Sequence, residues 1–391
     1  MLIAIVAARG RAGAPHSAIP RIWQGAIVAK TGVGIIGSRF MANIHADTVT
    51  RNPDAELIAV ASPTAEHASA LAAKHGISRV FADHRDLLAL PDIDLVVVCT
   101  PNRYHAPIAI DAARAGKHIV VEKPLCVNVE EADEMVEAAR AANVKLMYAE
   151  EFCFAPQYVR AREIVAEGGV GRLHTVKHIE KYFGPTNPMY WDIATSGGWC
   201  AMQLGSHSLG VLRWMLGKPR AIAVYAEMRR VHHHDRGLGE DESIIVVNFE
   251  NGAVGVAENS WARRGGMDER VEAYGSDGTI YASLYQDNHF RVFSEPGYRY
   301  SAPGGAPTRG WTYAVYDELH NNGFPQELNH FIDCVANDRQ PQETGEDGRS
   351  VLEILTAAYE SARLGRKVPL EQPFRPGVAR PIDCWLRDSA D

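Results

Sequence analysis

Between Val33 and about Tyr148, short β-branched runs alternate with amphipathic stretches, and this alternation constrains the chain more than any other feature. Val33–Ile36, Leu57–Ala61, Leu95–Cys99, Ile119–Val121 and Lys145–Tyr148 read as strands. Glu66–Lys74, Pro107–Ala115 and Val129–Ala142 read as helices between them. The LVVVC run at Leu95–Cys99 has no polar alternation, as a strand covered on both faces requires. Strands separated by helices need crossover connections, which produce a parallel sheet with helices on both sides. The expectation is an α/β chain whose residues 31–148 form a doubly wound domain.

Beyond about residue 150 the pattern changes. Ser243–Phe249 and Ala253–Glu258 flank Asn251-Gly252, a strong hairpin signal because both residues tolerate positive φ. Arg270–Tyr274 and Thr279–Tyr281 flank a second turn at Ser276-Asp277-Gly278. Thr344-x-x-Asp347 has the form of a helix N-terminal cap, after which Val351, Ile354, Leu355, Ala358 and Ala362 share one helical face up to Gly365. Residues 149–391 therefore read as an α+β domain on an antiparallel or mixed sheet. Two cores suit a chain of 391 residues. The apolar start, Met1–Ala7, has no basic segment before it and breaks at Arg9, so residues 1–30 read as a poorly ordered extension.

A net charge of −8 argues against nucleic acid or an anionic membrane as partner, since nothing neutralises phosphate in bulk. No apolar run approaches the roughly 20 residues of a membrane-spanning helix. Six scattered cysteines without a C-x-x-C pair read as reduced thiols, the pattern of a cytoplasmic protein.

Three segments carry candidate chemistry. Gly37-Ser38-Arg39-Phe40-Met41-Ala42 lies between the first strand and a helix, where a glycine turn lets backbone N–H groups meet a pyrophosphate. Only its first glycine is kept. At the end of the second strand, where an acid would bind a ribose hydroxyl and an arginine a 2′-phosphate, stands Ser62-Pro63-Thr64. With no basic residue close by, NAD is favoured over NADP. Thr100-Pro101-Asn102 with His105, and Glu122-Lys123-Pro124, follow two apolar strands at the edge where open α/β sheets bind ligands. A desolvated Lys123 beside a cationic nicotinamide would lose basicity and exchange a proton with a hydroxyl. In the third segment, Gly197-Gly198 precedes Gln203, Gly205 and His207, and His207 has an intrinsic pKa suited to acid–base work. His232-His233-His234-Asp235 lacks a second cluster to complete a metal site, and no metal is expected.

Taken in order, the IIG-x-x-x-x-A turn, TPN-x-x-H, EKP and GG-x-x-x-x-x-x-G-x-H resemble the Gfo/Idh/MocA oxidoreductase family over about residues 31–368. The resemblance implies an N-terminal Rossmann domain and a C-terminal domain with a large open, mainly antiparallel sheet that pairs chains into homodimers or homotetramers. It implies a dinucleotide held by Gly37, Ser38, Arg39, Phe40, Met41, Ser62, Thr100, Pro101, Asn102, His105, Glu122 and Lys123, and catalysis by Lys123 and His207. Tyr182, Trp191, Asp192 and Gln203 join Lys123 and His207 as candidate contacts to a sugar, glycoside or cyclitol. Departures surround the substrate: the family's usual aspartate four before the histidine is Gln203, an acid three after it is Gly210, and a usual arginine is Cys153 in Glu150-Glu151-Phe152-Cys153. The expected activity is hydride exchange with a secondary hydroxyl. The alternatives are a redox-assisted lyase or glycoside-cleaving enzyme, and a cofactor-bound sugar sensor.

Overall fold

A computed structural model describes residues 30–285, 291–294, 310–313, 317–370, 374 and 376–387. The expectation for the N-terminal extension falls almost wholly on residues outside these. The first part runs β1 (Thr31–Ile36), α1 (Phe40–Arg51), β2 (Ala55–Ala61), α2 (Ala65–His75), β3 (Arg79–Phe81), α3 (His84–Leu88), β4 (Leu95–Val98), α4 (His105–Arg114), β5 (His118–Glu122), α5 (Val129–Ala142) and β6 (Leu146–Ala149). Its six strands are ordered β3-β2-β1-β4-β5-β6 and pair in parallel throughout. This is the doubly wound dinucleotide-binding order, with the strand order reversing between β1 and β4. Leu95, Val96, Val97 and Val98 are fully buried, as their unbroken apolar run foretold. At roughly 1.5–3 kcal/mol per buried aliphatic side chain, such strands hold the sheet's centre.

The chain continues through α6 (Pro156–Ala166), β7 (Leu173–Lys181), α7 (Ile193–Ser196), α8 (Cys200–Met215), β8 (Ala221–Arg229), β9 (Glu242–Phe249), β10 (Val254–Ser260), β11 (Asp268–Gly275), β12 (Thr279–Ser283), β13 (Arg291–Ser294) and β14 (Gly310–Tyr313). It ends with α9 (Glu318–Asn322), α10 (Phe324–Ala336), α11 (Gly345–Leu364), β15 (Val368–Pro369) and α12 (Pro381–Leu386). The second sheet is ordered β12-β11-β7-β10-β9-β8-β15. Only the β7–β10 pair is parallel; its other pairs are antiparallel. The β9–β10 hairpin turns at Gly252, whose φ is 84°.

Two local signals place the later helices. The Thr344 hydroxyl and Asp347 form a capping box at the start of α11, and Gly365 closes the helix in the left-handed conformation. Asp347 also meets Arg213 at 3.2 Å and Lys218 at 2.7 Å, fastening the end of α8 to the start of α11. Every residue of α8 is buried. Such a helix shows no amphipathic period, so the sequence reads as a glycine-containing motif where the fold has a central helix. Late elements return to the first sheet: α10 packs on α1 and α11 on α5, and the Tyr148 N–H donates to the Glu343 carbonyl.

Candidate active site

The strands of the first sheet end on a cavity of about 1240 Å³. Gly37, Ser38, Arg39, Phe40, Met41, Ser62, Thr100, Pro101, Asn102, Glu122 and Lys123 all line it. Gly37 has a φ of 122°, and a Cβ there would come 2.6 Å from the Cys99 carbonyl oxygen. Only glycine lets β1 pass that close to the end of β4. Directly after it, α1 starts without a side-chain cap and without an acidic residue in its first turn. Its free N–H groups and the positive end of its dipole make an anion site. This cradle fits the pyrophosphate of a dinucleotide.

Small polar groups occupy the far end of the cavity. The Ser38 hydroxyl donates to Ser62 Oγ at 2.8 Å. The fold also brings His67, His84 and Arg85 to the lining. Two of them are already paired: Asp111 lies 3.0 Å from His84 Nε2 and 3.1 Å from Arg85 Nη2. His105 does not reach the cavity. It is fully buried, with Nδ1 3.0 Å from the Pro124 carbonyl oxygen and Nε2 2.7 Å from that of Thr100. It pins the two strand-end loops together, a role sequence position alone does not separate from ligand contact. Asn102 donates to the Ser196 carbonyl at 2.7 Å, and Gln203 donates to the same oxygen at 3.2 Å. One carbonyl thus joins the first sheet's loop, α7 and α8.

The opposite end is built from ionisable side chains. Glu151, Met189 and Tyr190 join Lys123 in lining it. From α8, His207 places Nδ1 2.7 Å from Glu150 Oε1 and 3.7 Å from Glu151 Oε2. The Phe152 ring lies 4.5 Å from the imidazole, centre to centre. With Nδ1 engaged, Nε2 is the nitrogen left for other partners. Behind it, His178 Nδ1 lies 2.9 Å from Ser208 Oγ, and Asn259 donates to that oxygen at 2.7 Å.

Burial and neighbours set the charges. Burial, with Lys123 and His178 nearby, holds the His207 imidazole well below its usual pKa, so it is neutral at pH 7. Burial raises Glu151 to about 8, with the Lys123 ammonium opposing the shift. Burial also raises Glu150, and Glu151 adds to the effect. Burial alone would lower Lys123, but Glu151, Glu180 and Glu122 outweigh it and hold the ammonium above its usual pKa. Carboxylates from its own strand end, Glu122, and from two later segments, Glu151 and Glu180, thus converge on this lysine. Glu122 is itself held by His45, 2.6 Å away.

Several candidate substrate contacts point elsewhere. Trp191 donates to the Pro185 carbonyl and packs against Trp199, Trp261 and His233, so its neighbour Tyr190 is the ring facing the cavity. Asp192 caps α7 by accepting from the Ala194 N–H. Tyr182 packs beside the buried Trp199 and Trp261. In the histidine run, the Asp241 carboxylate accepts the N–H groups of Val231, His232 and His233, fixing the loop from the backbone. Glu150, Glu151 and His207 offer donor atoms within 4.8 Å of one another; Lys123 already supplies positive charge beside both carboxyls. The two glutamates went unassigned in the sequence, although they directly follow β6 at the same ligand-binding edge.

A glycine-turn cradle for a dinucleotide, opening towards a buried lysine and a glutamate backed by a histidine, defines a nicotinamide-dependent oxidoreductase. The chain belongs to the Gfo/Idh/MocA family: residues 31–150 match its NAD-binding Rossmann fold and residues 162–370 its C-terminal alpha/beta domain. It is 28% identical to myo-inositol 2-dehydrogenase of Thermotoga maritima, covering 87% of this chain and 98% of that one. It is 26% identical to D-glucoside 3-dehydrogenase of Escherichia coli, covering 86% and 97%. Among solved structures, GenD2 from gentamicin A biosynthesis, in complex with NAD, superposes with a TM-score of 0.82 at 32% identity, covering 91% of this chain and all of that one. No described helix is long and apolar enough to cross a membrane.

Proposed function

We propose that the enzyme transfers hydride between a nicotinamide and a secondary carbinol carbon of a sugar, glycoside or cyclitol, with His207 as proton acceptor and Lys123 as charged donor. The observation that carries this is that Lys123 and Glu151 line the same end of the cavity, with the His207 imidazole 3.7 Å from Glu151. Bound nicotinamide supplies the hydride acceptor, or in reduction the donor. Neutral His207 takes the hydroxyl proton at Nε2, and Lys123 donates a hydrogen bond to the oxygen as its negative charge grows. Gly37 and the start of α1 would hold the pyrophosphate, and Thr100, Pro101, Asn102 and Glu122, which line the same cavity, would flank the ring. Tyr190 and Gln203 shape the substrate side.

NAD is proposed over NADP because Ser62 offers no cation and Arg85 is already paired with Asp111 and Asp83. The cytoplasm is the proposed location. We place the domain division near residue 149, with the open face of the second sheet pairing chains into dimers or tetramers. Ile244 and Tyr281, 39% and 69% exposed, stand on strands of that sheet. Screening inositols, aldoses and glycosides with NAD and NADP at 340 nm tests the activity. Reduction with a polyol supports it, and silence across the panel despite tight NADH binding would overturn it in favour of a sensor.

A further inference from the structure

We propose that Glu150 is the positioning residue for His207, holding the imidazole proton on Nδ1 so that the Nε2 lone pair faces the substrate hydroxyl. The inference rests on the acid–base reading above and names the group that makes it work. A neutral imidazole divides between two tautomers, and only one has Nε2 free to accept a proton. A carboxylate at Nδ1 selects that tautomer and fixes the ring, as the aspartate of a Ser-His-Asp triad does.

The acid that the resemblance leads one to look for would stand on α8 itself, and α8 has none there. Position 203 is a glutamine whose amide is given to the Ser196 carbonyl. Position 210 is a glycine, and the reason lies across the site. A Cβ at Gly210 would stand 3.0 Å from Glu150 Cγ and 3.2 Å from its Oε2. The side chain missing from α8 is the room into which Glu150 reaches from the end of β6. Glu150 is fully buried, one oxygen lies 2.7 Å from His207 Nδ1, and the other has no hydrogen-bond partner. Its hydrogen bonding is thus devoted to this imidazole.

Groups facing the pair come from several elements: Lys123 after β5, Glu151 after β6, His178 and Glu180 on β7, and Glu343 before α11. Burial and Glu151 raise the Glu150 pKa and Lys123 opposes them; the Nδ1–H tautomer requires the ionised form, which a hydrogen bond from Nδ1 to Oε1 stabilises. In the oxidation direction the hydroxyl O–H breaks and its proton goes to Nε2. The C–H electron pair leaves with hydrogen as hydride to the nicotinamide. The Nδ1 proton stays on the Glu150 side.

The test compares Glu150→Ala, Glu150→Gln and the double variant Glu150→Ala/Gly210→Asp. Glu150→Ala should lower kcat by about 10²-fold or more, with NADH affinity by fluorescence titration unchanged. Glu150→Gln, which keeps the shape, should remain slow. Gly210→Asp places a carboxylate from α8 into the vacated room and should recover at least roughly tenfold of the loss. Nitrogen-15 NMR of the histidines, with His207→Asn for assignment, should show the Nδ1–H form of His207 in the wild type and a mixture in Glu150→Ala. This last measurement needs no turnover, so it decides Glu150's role even if the substrate screen is silent. Wild-type kcat in Glu150→Gln, an Nε2–H tautomer in the wild type, or no recovery in the double variant would each overturn the proposal.

Discussion

The two ends of the cavity are made from different materials. At the dinucleotide end the working groups are backbone: a glycine with a φ of 122°, an uncapped helix start and two serine hydroxyls sharing a hydrogen bond. At the other end they are buried ionisable side chains from three separate segments: Lys123 and Glu151 line the cavity, and His207 and Glu150 pack behind them. A backbone site depends on one contiguous stretch and is insensitive to most neighbours. A site of opposed charges depends on all its members, because desolvating one without its partner costs several kcal/mol.

The sharpest way to break this comparison is to remove a member of the charged end. His207→Ala should lower kcat by about 10²–10⁴-fold while NADH titration is unchanged, and Lys123→Met should lose rate on a similar scale. An equal loss of NADH affinity would mean that the two ends are one unit. On the backbone end, Gly37→Ala forces a Cβ against the Cys99 carbonyl at positive φ. A cost of roughly 1–3 kcal/mol should weaken NADH binding about 5- to 150-fold.

The charged interior also predicts a pH dependence. Glu151 is raised to about 8, and Glu240 and Glu343 to about 7. In each case burial is the first cause. The folded protein therefore binds more protons than the unfolded chain between about pH 4.5 and 8. Stability from these groups is complete at the acid end of that window and declines as pH rises through the folded values. Thermal unfolding should show a falling Tm from pH 5 to 8. Glu240 accepts hydrogen bonds from the Ala201 N–H and the Tyr359 hydroxyl, and Glu240→Gln keeps an acceptor there. It should flatten the slope by up to about 1.4 kcal/mol per pH unit; an unchanged slope would place the titration elsewhere. The smallest effect concerns cofactor choice. Asp111→Asn removes one of the two carboxylates that pair with Arg85, leaving Asp83, and should raise kcat/KM for NADP by no more than about fivefold, since a partly exposed pair is worth up to roughly 1 kcal/mol.

Much of this was legible in the chain. The parallel sheet showed in runs such as Leu95–Val98, the hairpin in Asn251-Gly252, and α11 in Thr344, Asp347 and Gly365. Those signals are local, set by turn geometry and burial of contiguous residues. The helix α8 was hidden because burial on every side erases its periodicity. Glu150 and Glu151 were hidden for another reason: adjacent acids usually mark a solvated surface, and only the convergence of β5, β6 and α8 turns them inward. The rise in the Lys123 pKa was hidden likewise, since Glu151 and Glu180, two of the carboxylates behind it, lie far away in sequence. The Pro188–Trp191 turn faces Tyr190 to the cavity and packs Trp191 against Trp199 and Trp261, an orientation that no local pattern displays.

The hydrogen bond from Tyr148 to the Glu343 carbonyl bears on how the molecule is made. The outer edge of β6 gains its partner only from chain emerging from the ribosome long after the strand itself. Until then the nascent first half carries an unsheltered sheet margin, the kind of surface that invites mispairing. A polypeptide truncated near residue 150 should consequently be a poor stand-in for the nucleotide-binding half, and dissecting this enzyme by cutting between its two sheets would leave both pieces short of their native covering.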